Sequence, residues 1–462
     1  MLLIKLRKFI ITLLIAYAAY FLISFIAAPL LRPRLERDFH LQPSEINLSE
    51  TERISVIEEN ENALIWRLRL IESAEEEIIL SSFDFRADET GTSVMAALYN
   101  AAERGVKIRL LLDGFSNAIS LRSSGSFNAL LSNSNTEIKY YNKINLLLPW
   151  KLNYRMHDKY LIIDQSAYVL GGRNTNDLFL GKGSRRYSID REILVYNEQK
   201  DGSLNRLMDY FEYIWDLEES EEISIRCSEK SLAEGKALLK GEYEGFESRY
   251  PESFLKIDWE NESFSVESVD IISNSPRAKT KSPVIWNNII NYMKNADDIF
   301  IQSPYLILGK QMYNDLNDIG DKNPEVLTNS LEGGVNLWGV ADYLNNKEKL
   351  LETGITIYEY LGEQSLHTKT ILLDEDISII GSYNLDMRST YLSTETMLII
   401  KSRELNQALR KSCESYTEQS RKIKQGEEES YGDNCREIKI SWGKKAFYAV
   451  VRVLILPIRQ LL

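Results

Sequence analysis

Eight polar residues stand at matched spacing in a chain that holds only three histidines. His157 and Lys159 are two apart, Asp164 follows, and after six more residues comes Gly171-Gly172-Arg173-Asn174. His367, Lys369, Asp374 and Gly381-Ser382-Tyr383-Asn384 repeat the pattern 210 residues later. Residues two apart on a strand share one face, and Thr368–Asp374 reads as a strand, so His367 and Lys369 point the same way. The apolar run Ile377–Ile380 reads as a second buried strand, with a turn at Gly381. An imidazole, a cation, a carboxamide and, in the second copy, a hydroxyl thus converge on one spot. That is equipment for gripping an anionic tetrahedral group and attacking it.

One copy supplies half a site. Exchanging a phosphodiester in two steps needs a nucleophile on one side of phosphorus and an acid opposite, near the leaving oxygen. Two copies related by a pseudo-twofold axis put one histidine on each side. A neutral imidazole attacks and forms a phosphohistidine; the other protonates the departing alkoxide and then deprotonates the incoming alcohol or water. Lys159 and Lys369 neutralise the non-bridging oxygens, and Asn174 and Asn384 donate hydrogen bonds to them. Ser382 adds a donor in the second half, where the first has Gly172, and Arg173 is a candidate to compensate. Protein cations supply the charge stabilisation, so neither metal nor cofactor is expected. The carboxylates that orient the histidines are sought downstream: Glu395 lies 28 residues after His367, and Glu192 is the expected counterpart. Asp190 stays open as an alternative, because the first half carries an insertion around Lys182–Arg186.

Both copies follow HxKx4Dx6GxxN, and on these motifs the chain resembles the phospholipase D superfamily, most of all bacterial cardiolipin synthases of the shorter class with a GGRN first motif. The resemblance covers roughly residues 50 to 425. It implies phospholipid substrates, phosphohistidine chemistry and one active site between two similar halves. It also implies that Asp164 and Asp374, with Gly171 and Gly381, brace structure rather than touch phosphate.

The elements that must position these groups follow from periodicity. The 23 uncharged residues Phe9–Leu31 are long enough to cross a bilayer as a helix, longer than the apolar core of a cleaved signal peptide. Lys5, Arg7 and Lys8 precede the run, and Arg32, Arg34 and Arg37 follow it, so the positive-inside count is even. A basic-led N-terminal anchor favours an inside N-terminus, with the catalytic part on the outer face of the cell membrane. The apolar stripe of residues 51–73 predicts a helix. Beyond it, strand and helix patterns alternate (Glu77–Phe83, Ser93–Arg104, Val106–Asp113, Phe127–Ser132, Glu137–Tyr141), which predicts an α/β half with a mostly parallel sheet flanked by helices. The scheme restarts at Ser268 and closes with a helix over Arg403–Lys422. The expected organisation is an anchor and flank over residues 1–37, a first half over 38–220, an acidic connection over 221–265, a second half over 266–425 and a tail over 426–462. Ser441–Leu462 mixes Lys444, Lys445, Arg452 and Arg459 with dense apolar residues and Trp442, which predicts an amphipathic segment at the membrane interface.

Composition narrows the function. A net charge of −13 is a poor start for gripping a polyanion such as DNA, so no nucleic-acid partner is expected. Cys227, Cys413 and Cys435 form neither a metal-like spacing nor a disulfide framework. The readings, in order, are a membrane phosphatidyltransferase making cardiolipin, a hydrolytic phospholipase D, and a nuclease or other phosphodiesterase of the same superfamily. Protein partners are not legible in the sequence.

Overall fold

The computed structural model describes residues 2–27, 39–44, 52–181, 187–199, 201–333, 336–435 and 441–462. The basic residues after the apolar run and the insertion at Lys182–Arg186 lie outside them.

Two nine-stranded sheets carry the fold. In the first, the strands run in space Phe264–Ser265, Arg53–Ile57, Glu192–Tyr196, Ala167–Gly171, Tyr160–Ile163, Glu77–Ser82, Lys107–Asp113, Thr136–Tyr141 and Ser220–Glu222. In the second they run Ser268–Ser273, Thr396–Lys401, Ile377–Gly381, Thr370–Leu373, Ile299–Gln302, Glu325–Asn329, Thr356–Tyr360, Ser420–Ile423 and Ser430–Tyr431. The order from Arg53–Ile57 onward matches strand for strand that from Ser268–Ser273, so the duplication seen in the motifs extends through the whole sheet. Parallel pairing holds for the β-α-β-α-β core, where short strands are joined by crossover helices. The motif hairpins, Tyr160–Gly171 and Thr370–Gly381, join it antiparallel, and the sheets are therefore mixed.

The two motif-bearing faces pack against each other. Tyr160, Leu170 and Ile193 of the first half share one core with Leu372, Ile380 and Leu398 of the second. This core is what fixes the halves in register.

Three expectations change. The helix expected over residues 51–73 is the strand Arg53–Ile57 followed by a helix over Asn60–Ser73. Ile54, Val56 and Ile57 are β-branched, a type that packs well on a pleated surface, and Glu192–Tyr196 offers them a partner. The closing helix ends at Thr417, and Ser420–Ile423 is a strand beside Thr356–Tyr360. The acidic connection, expected to hold some helix near Leu232–Leu239, carries a longer one over Glu229–Glu244, and its Phe264–Ser265 pairs with Arg53–Ile54 at the edge of the first sheet.

The N-terminal helix spans Leu2–Ala27, and its segment Ile4–Ala27 is long and apolar enough to cross a membrane, with none of it buried in the protein. The C-terminal helix Trp442–Leu454 is docked by one face: Tyr448, Val451 and Ile455 pack on Val340 and Ala341. Several basic residues of the tail bond back to the protein, while Lys445 stays exposed. Lys444 donates to Glu332 O, Arg452 to Asn345, and Arg459 to Asp342 and Leu308 O. The outward face is apolar instead, with Trp442, Phe447, Val450, Val453 and Leu454 all exposed.

Candidate active site

Each half lends the other a short strand, and that exchange builds the site. Ser365–Leu366 pairs parallel with Ser188–Ile189, and His367 N donates to Ile189 O at 2.7 Å. In the other direction Met156 bridges Thr394, and His157 N donates to Thr394 O at 3.2 Å. The residue after each accepting carbonyl is an acid, so each acid reaches the histidine of the opposite half. His157 Nδ1 lies 2.9 and 3.0 Å from the two oxygens of Glu395. His367 Nδ1 lies 2.5 Å from Asp190 Oδ2. The orienting pairs therefore cross the interface, and neither half can complete its own histidine.

Glu192, expected to orient a histidine, does not. It receives Arg67 at 2.5 and 2.8 Å, with Arg173 Nη1 at 3.6 Å, deep in the first half. Strand register explains the misplacement. Gly171 pairs with Glu192 and Gly381 with Met397, so the equivalent of Glu395, two residues before Met397, is Asp190. Asp190 lies 33 residues after His157, five more than Glu395 after His367, the length of the Lys182–Arg186 insertion.

Arg173, expected at the substrate, is fully buried and points away from it, donating to Ile57 O, Glu58 O and Asp190 O. It braces the chain that presents Asp190. Ser382 is also turned inward: its hydroxyl donates to Glu395 Oε2 at 2.5 Å, and Ser389 donates to Oε1 at 2.6 Å. Gly172 occupies the matching place beside Asp190, where a Cβ would fall 2.5 Å from Oδ1 and 2.6 Å from Oδ2. The first motif lacks its serine because the shorter aspartate brings its carboxylate into that space. Gly171 and Gly381 lie against the next strand; a Cβ there would meet Arg191 O at 2.5 Å and Thr396 O at 2.2 Å.

Lys159 and Lys369 are buried beside their histidines, each ammonium donating to its own histidine's carbonyl. Asn174 and Asn384 are buried too, and both leave the amide oxygen without a protein partner. Asp164 and Asp374 sit at the opposite strand ends from the histidines. Asp164 accepts from the backbone N–H groups of Glu75, Glu76 and Glu77, and Asp374 from those of Asp297 and Asp298.

The site's electrostatics are asymmetric. Burial, with Lys159 and Lys369 nearby, holds His157 well below the ordinary imidazole value. Burial and Lys369 hold His367 at about 4. Burial also brings Lys159 down to about 7 and Lys369 to about 8. Glu395 is raised by burial to about 8 despite its hydroxyl donors. Burial pushes Asp190 upward too, but Lys369 and His367 overcome it and hold the carboxyl at about 2. A bound anion beside the lysines favours their ammonium forms.

Sequence reasoning does not single out the residues that shape the imidazoles' surroundings. Phe83 packs edge-on against His157 at 5.0 Å, and Phe179 against His367 at 4.9 Å. Asp158, between the first histidine and lysine, accepts from Thr394 and Tyr210 and ties the exchanged segment down. Of these, only Phe83 has a signal, lying at a strand end that parallels Ser303-Pro304-Tyr305. Among the described residues, no three His, Cys, Asp or Glu side chains gather into a metal-holding group.

Paired sheets, exchanged strands and two crossed histidine–carboxylate pairs define the phospholipase D class, and the chain belongs to the family described as "Cardiolipin synthase, PLD-like domain", which matches residues 68–215 and 289–417. Among curated relatives, the chain is 26% identical over 415 residues to an uncharacterized protein of Helicobacter pylori, covering 79% of each chain. It is 27% identical over 396 residues to cardiolipin synthase C of Escherichia coli, covering 77% of this chain and 82% of that one. The fold resembles that of phosphatidylserine synthase from Haemophilus influenzae, with a TM-score of 0.61 at 12% identity, over 92% of this chain and 98% of that one.

Proposed function

We propose that the protein is a membrane-anchored phosphatidyltransferase that makes cardiolipin from phosphatidylglycerol through a phosphohistidine. The observation that carries this reading is the crossed pairing, which gives one site two imidazoles, each oriented by the opposite half. In the first step one imidazole Nε2 attacks phosphorus and the P–O bond to the headgroup glycerol breaks. The second imidazole, protonated once the bound anion offsets the lysine charges beside it, gives its proton to the departing alkoxide, and glycerol leaves. That imidazole then takes a proton from a headgroup hydroxyl of another phosphatidylglycerol, which attacks phosphorus and breaks the P–N bond. Two phosphatidylglycerols yield one cardiolipin and one glycerol. Lys159, Lys369 and the two asparagine amides hold the non-bridging oxygens, while Asp190 and Glu395 hold the imidazoles in attacking geometry.

The family and its named relatives support a phospholipid substrate. So do the N-terminal apolar helix and the exposed apolar face of the C-terminal helix. Water near 55 M competes for any phosphohistidine, so transfer succeeds only where water is excluded and lipid hydroxyls are crowded. Anchoring at a bilayer supplies that crowding. The test is to incubate membrane-inserted protein with labelled phosphatidylglycerol and identify every lipid and released alcohol. Cardiolipin and glycerol in equal amounts are expected. Phosphatidic acid as the main product moves the assignment to a hydrolase, and inert lipid with cleaved nucleic acid moves it to a nuclease.

A further inference from the structure

Between the last strand of the first β-α-β-α-β unit and His157 runs Lys143-Ile-Asn-Leu-Leu-Leu-Pro-Trp-Lys151, seven uncharged residues between two lysines. Its tip is apolar and open: Ile144 is 39%, Leu146 56% and Leu147 74% exposed. The tip also leans on the N-terminal helix. Tyr17 donates to Leu146 O at 2.8 Å, Tyr20 donates to Leu147 O at 2.7 Å, and Asn153 donates to Phe25 O at 2.8 Å.

These bonds make little sense in water, which would satisfy both carbonyls without help. In hydrocarbon every unpaired backbone group is costly, and the carbonyls of Asn145, Leu146, Leu147 and Leu148 all have partners. Besides the two tyrosine bonds, Leu147 N donates to Asn145 Oδ1 at 3.0 Å, Leu148 N to Asn145 O at 3.1 Å, and Lys151 N to Leu148 O at 3.0 Å. The position along the helix gives the depth. Tyr17 is ten residues from Ala27, about 15 Å at ~1.5 Å per residue. That is about half of a hydrocarbon core ~30 Å thick.

We propose that the Ile144–Leu148 loop is inserted into the hydrocarbon of the leaflet that faces the catalytic halves, beside the N-terminal helix. The partner is the acyl region of the bilayer, with Lys151 at the level of the phosphates and Lys143 held by Glu221 Oε2 at 3.3 Å and Glu222 O at 2.5 Å. The inference rests on the reading of the N-terminal helix as a membrane span. Its consequence is geometric. Asn142 ties the loop's return to the sheet, donating to Lys151 O at 2.6 Å and Tyr154 O at 2.7 Å, and His157 follows three residues later. A loop held at fixed depth therefore sets the height of the imidazole above the leaflet, where a helix alone would leave the catalytic halves free to pivot.

The test uses the full chain with Cys227→Ser and Cys435→Ser, leaving Cys413 buried, and one new cysteine carrying an environment-sensitive fluorophore. Leu147→Cys reports the loop, Leu13→Cys the helix, and Lys230→Cys, whose side chain is 86% exposed, the aqueous reference. The proteins are reconstituted in vesicles of phosphatidylglycerol and phosphatidylethanolamine, and quenching is measured with acyl-chain nitroxide lipids and with iodide. The loop probe is expected to be quenched by the nitroxide lipids and at least fivefold less by iodide than the reference. A loop probe quenched like the reference, with the Leu13 probe lipid-buried, overturns the insertion and leaves the anchor standing. Both probes quenched by iodide overturn the anchor and the insertion together. A loop probe shielded from both quenchers, with cross-linked dimers, assigns the patch to a second copy and also overturns the proposal.

Discussion

Replacing Asp190 by Asn and, separately, Glu192 by Gln is expected to split chemistry from stability. The two acids are two residues apart, both are buried, and they face different partners. Asp190→Asn keeps the size of the side chain but removes the charge opposite His367 Nδ1 and lets an amide N–H present itself there. An imidazole held in the wrong tautomer slows turnover about 10⁴-fold in a hydrolase triad, which at ~1.36 kcal/mol per tenfold is about 5 kcal/mol of barrier. Turnover is therefore expected to fall by roughly two to four orders of magnitude, far more than the accompanying loss of the buried Asp190–Lys369 contact lowers the thermal midpoint. Glu192→Gln touches neither imidazole. It strands Arg67 and Arg173, whose side chains are 6% and 0% exposed, and breaking a buried pair on one side costs about 3–5 kcal/mol. The midpoint is expected to drop clearly, while turnover per folded molecule stays within a few fold. The assay pairs thermal unfolding in detergent micelles with turnover of labelled phosphatidylglycerol, corrected for folded fraction. The reasoning is refuted if folded Glu192→Gln protein is inactive while Asp190→Asn turns over normally.

Other expectations follow from the same geometry. Gly172→Ser, which restores the strict motif, is expected to slow turnover at least tenfold, because its Cβ falls 2.5 Å from Asp190 Oδ1; unchanged kinetics would contradict the packing account. The lysines at about 7 and 8 must be charged to hold phosphate, so kcat/KM is expected to fall as pH rises through roughly 7–8; a rise across that window would show that the neutral amines suffice. His157→Ala and His367→Ala are each expected to abolish cardiolipin and glycerol together, checked by product analysis, since losing either imidazole stops the first step. A chain lacking residues 1–31 is expected to keep weak binding to vesicles that persists in high salt. Lys444 and Arg459 bond to the protein while the large apolar residues face out, and Phe447→Asp with Val450→Asp should remove that binding in a flotation assay.

Much of the architecture is legible from residue type and spacing. The motifs place the six residues proposed to face phosphate just beyond the ends of paired strands, and alternation gives the crossover core of each half. What the sequence conceals is what long-range pairing decides. Nothing local says that Glu395 serves His157 rather than the histidine 28 residues before it, because the exchange of short strands between halves is a tertiary event. Residue type favours Glu192, a glutamate like Glu395, whereas strand register, Gly171 against Glu192, and the count with the five-residue insertion both assign the role to Asp190. Arg173 looks like a ligand because arginine suits phosphate, yet its donors are consumed by backbone carbonyls in the core. The tail reads as basic toward lipid; the docked helix spends three of those charges on protein partners. The Ile144–Leu148 tip carries no motif and gains meaning only from the tyrosines leaning on it.

The most direct test of the account is to trap the covalent intermediate. Protein reconstituted in vesicles is mixed with phosphatidylglycerol labelled at phosphorus, quenched in alkali within the first turnover, digested and mapped. Acid-labile label is expected on one peptide alone, carrying either His157 or His367, and absent when either histidine is alanine. Label retained in the variant lacking both histidines, or attached to any other residue, would contradict a phosphohistidine formed in a site shared by the two halves.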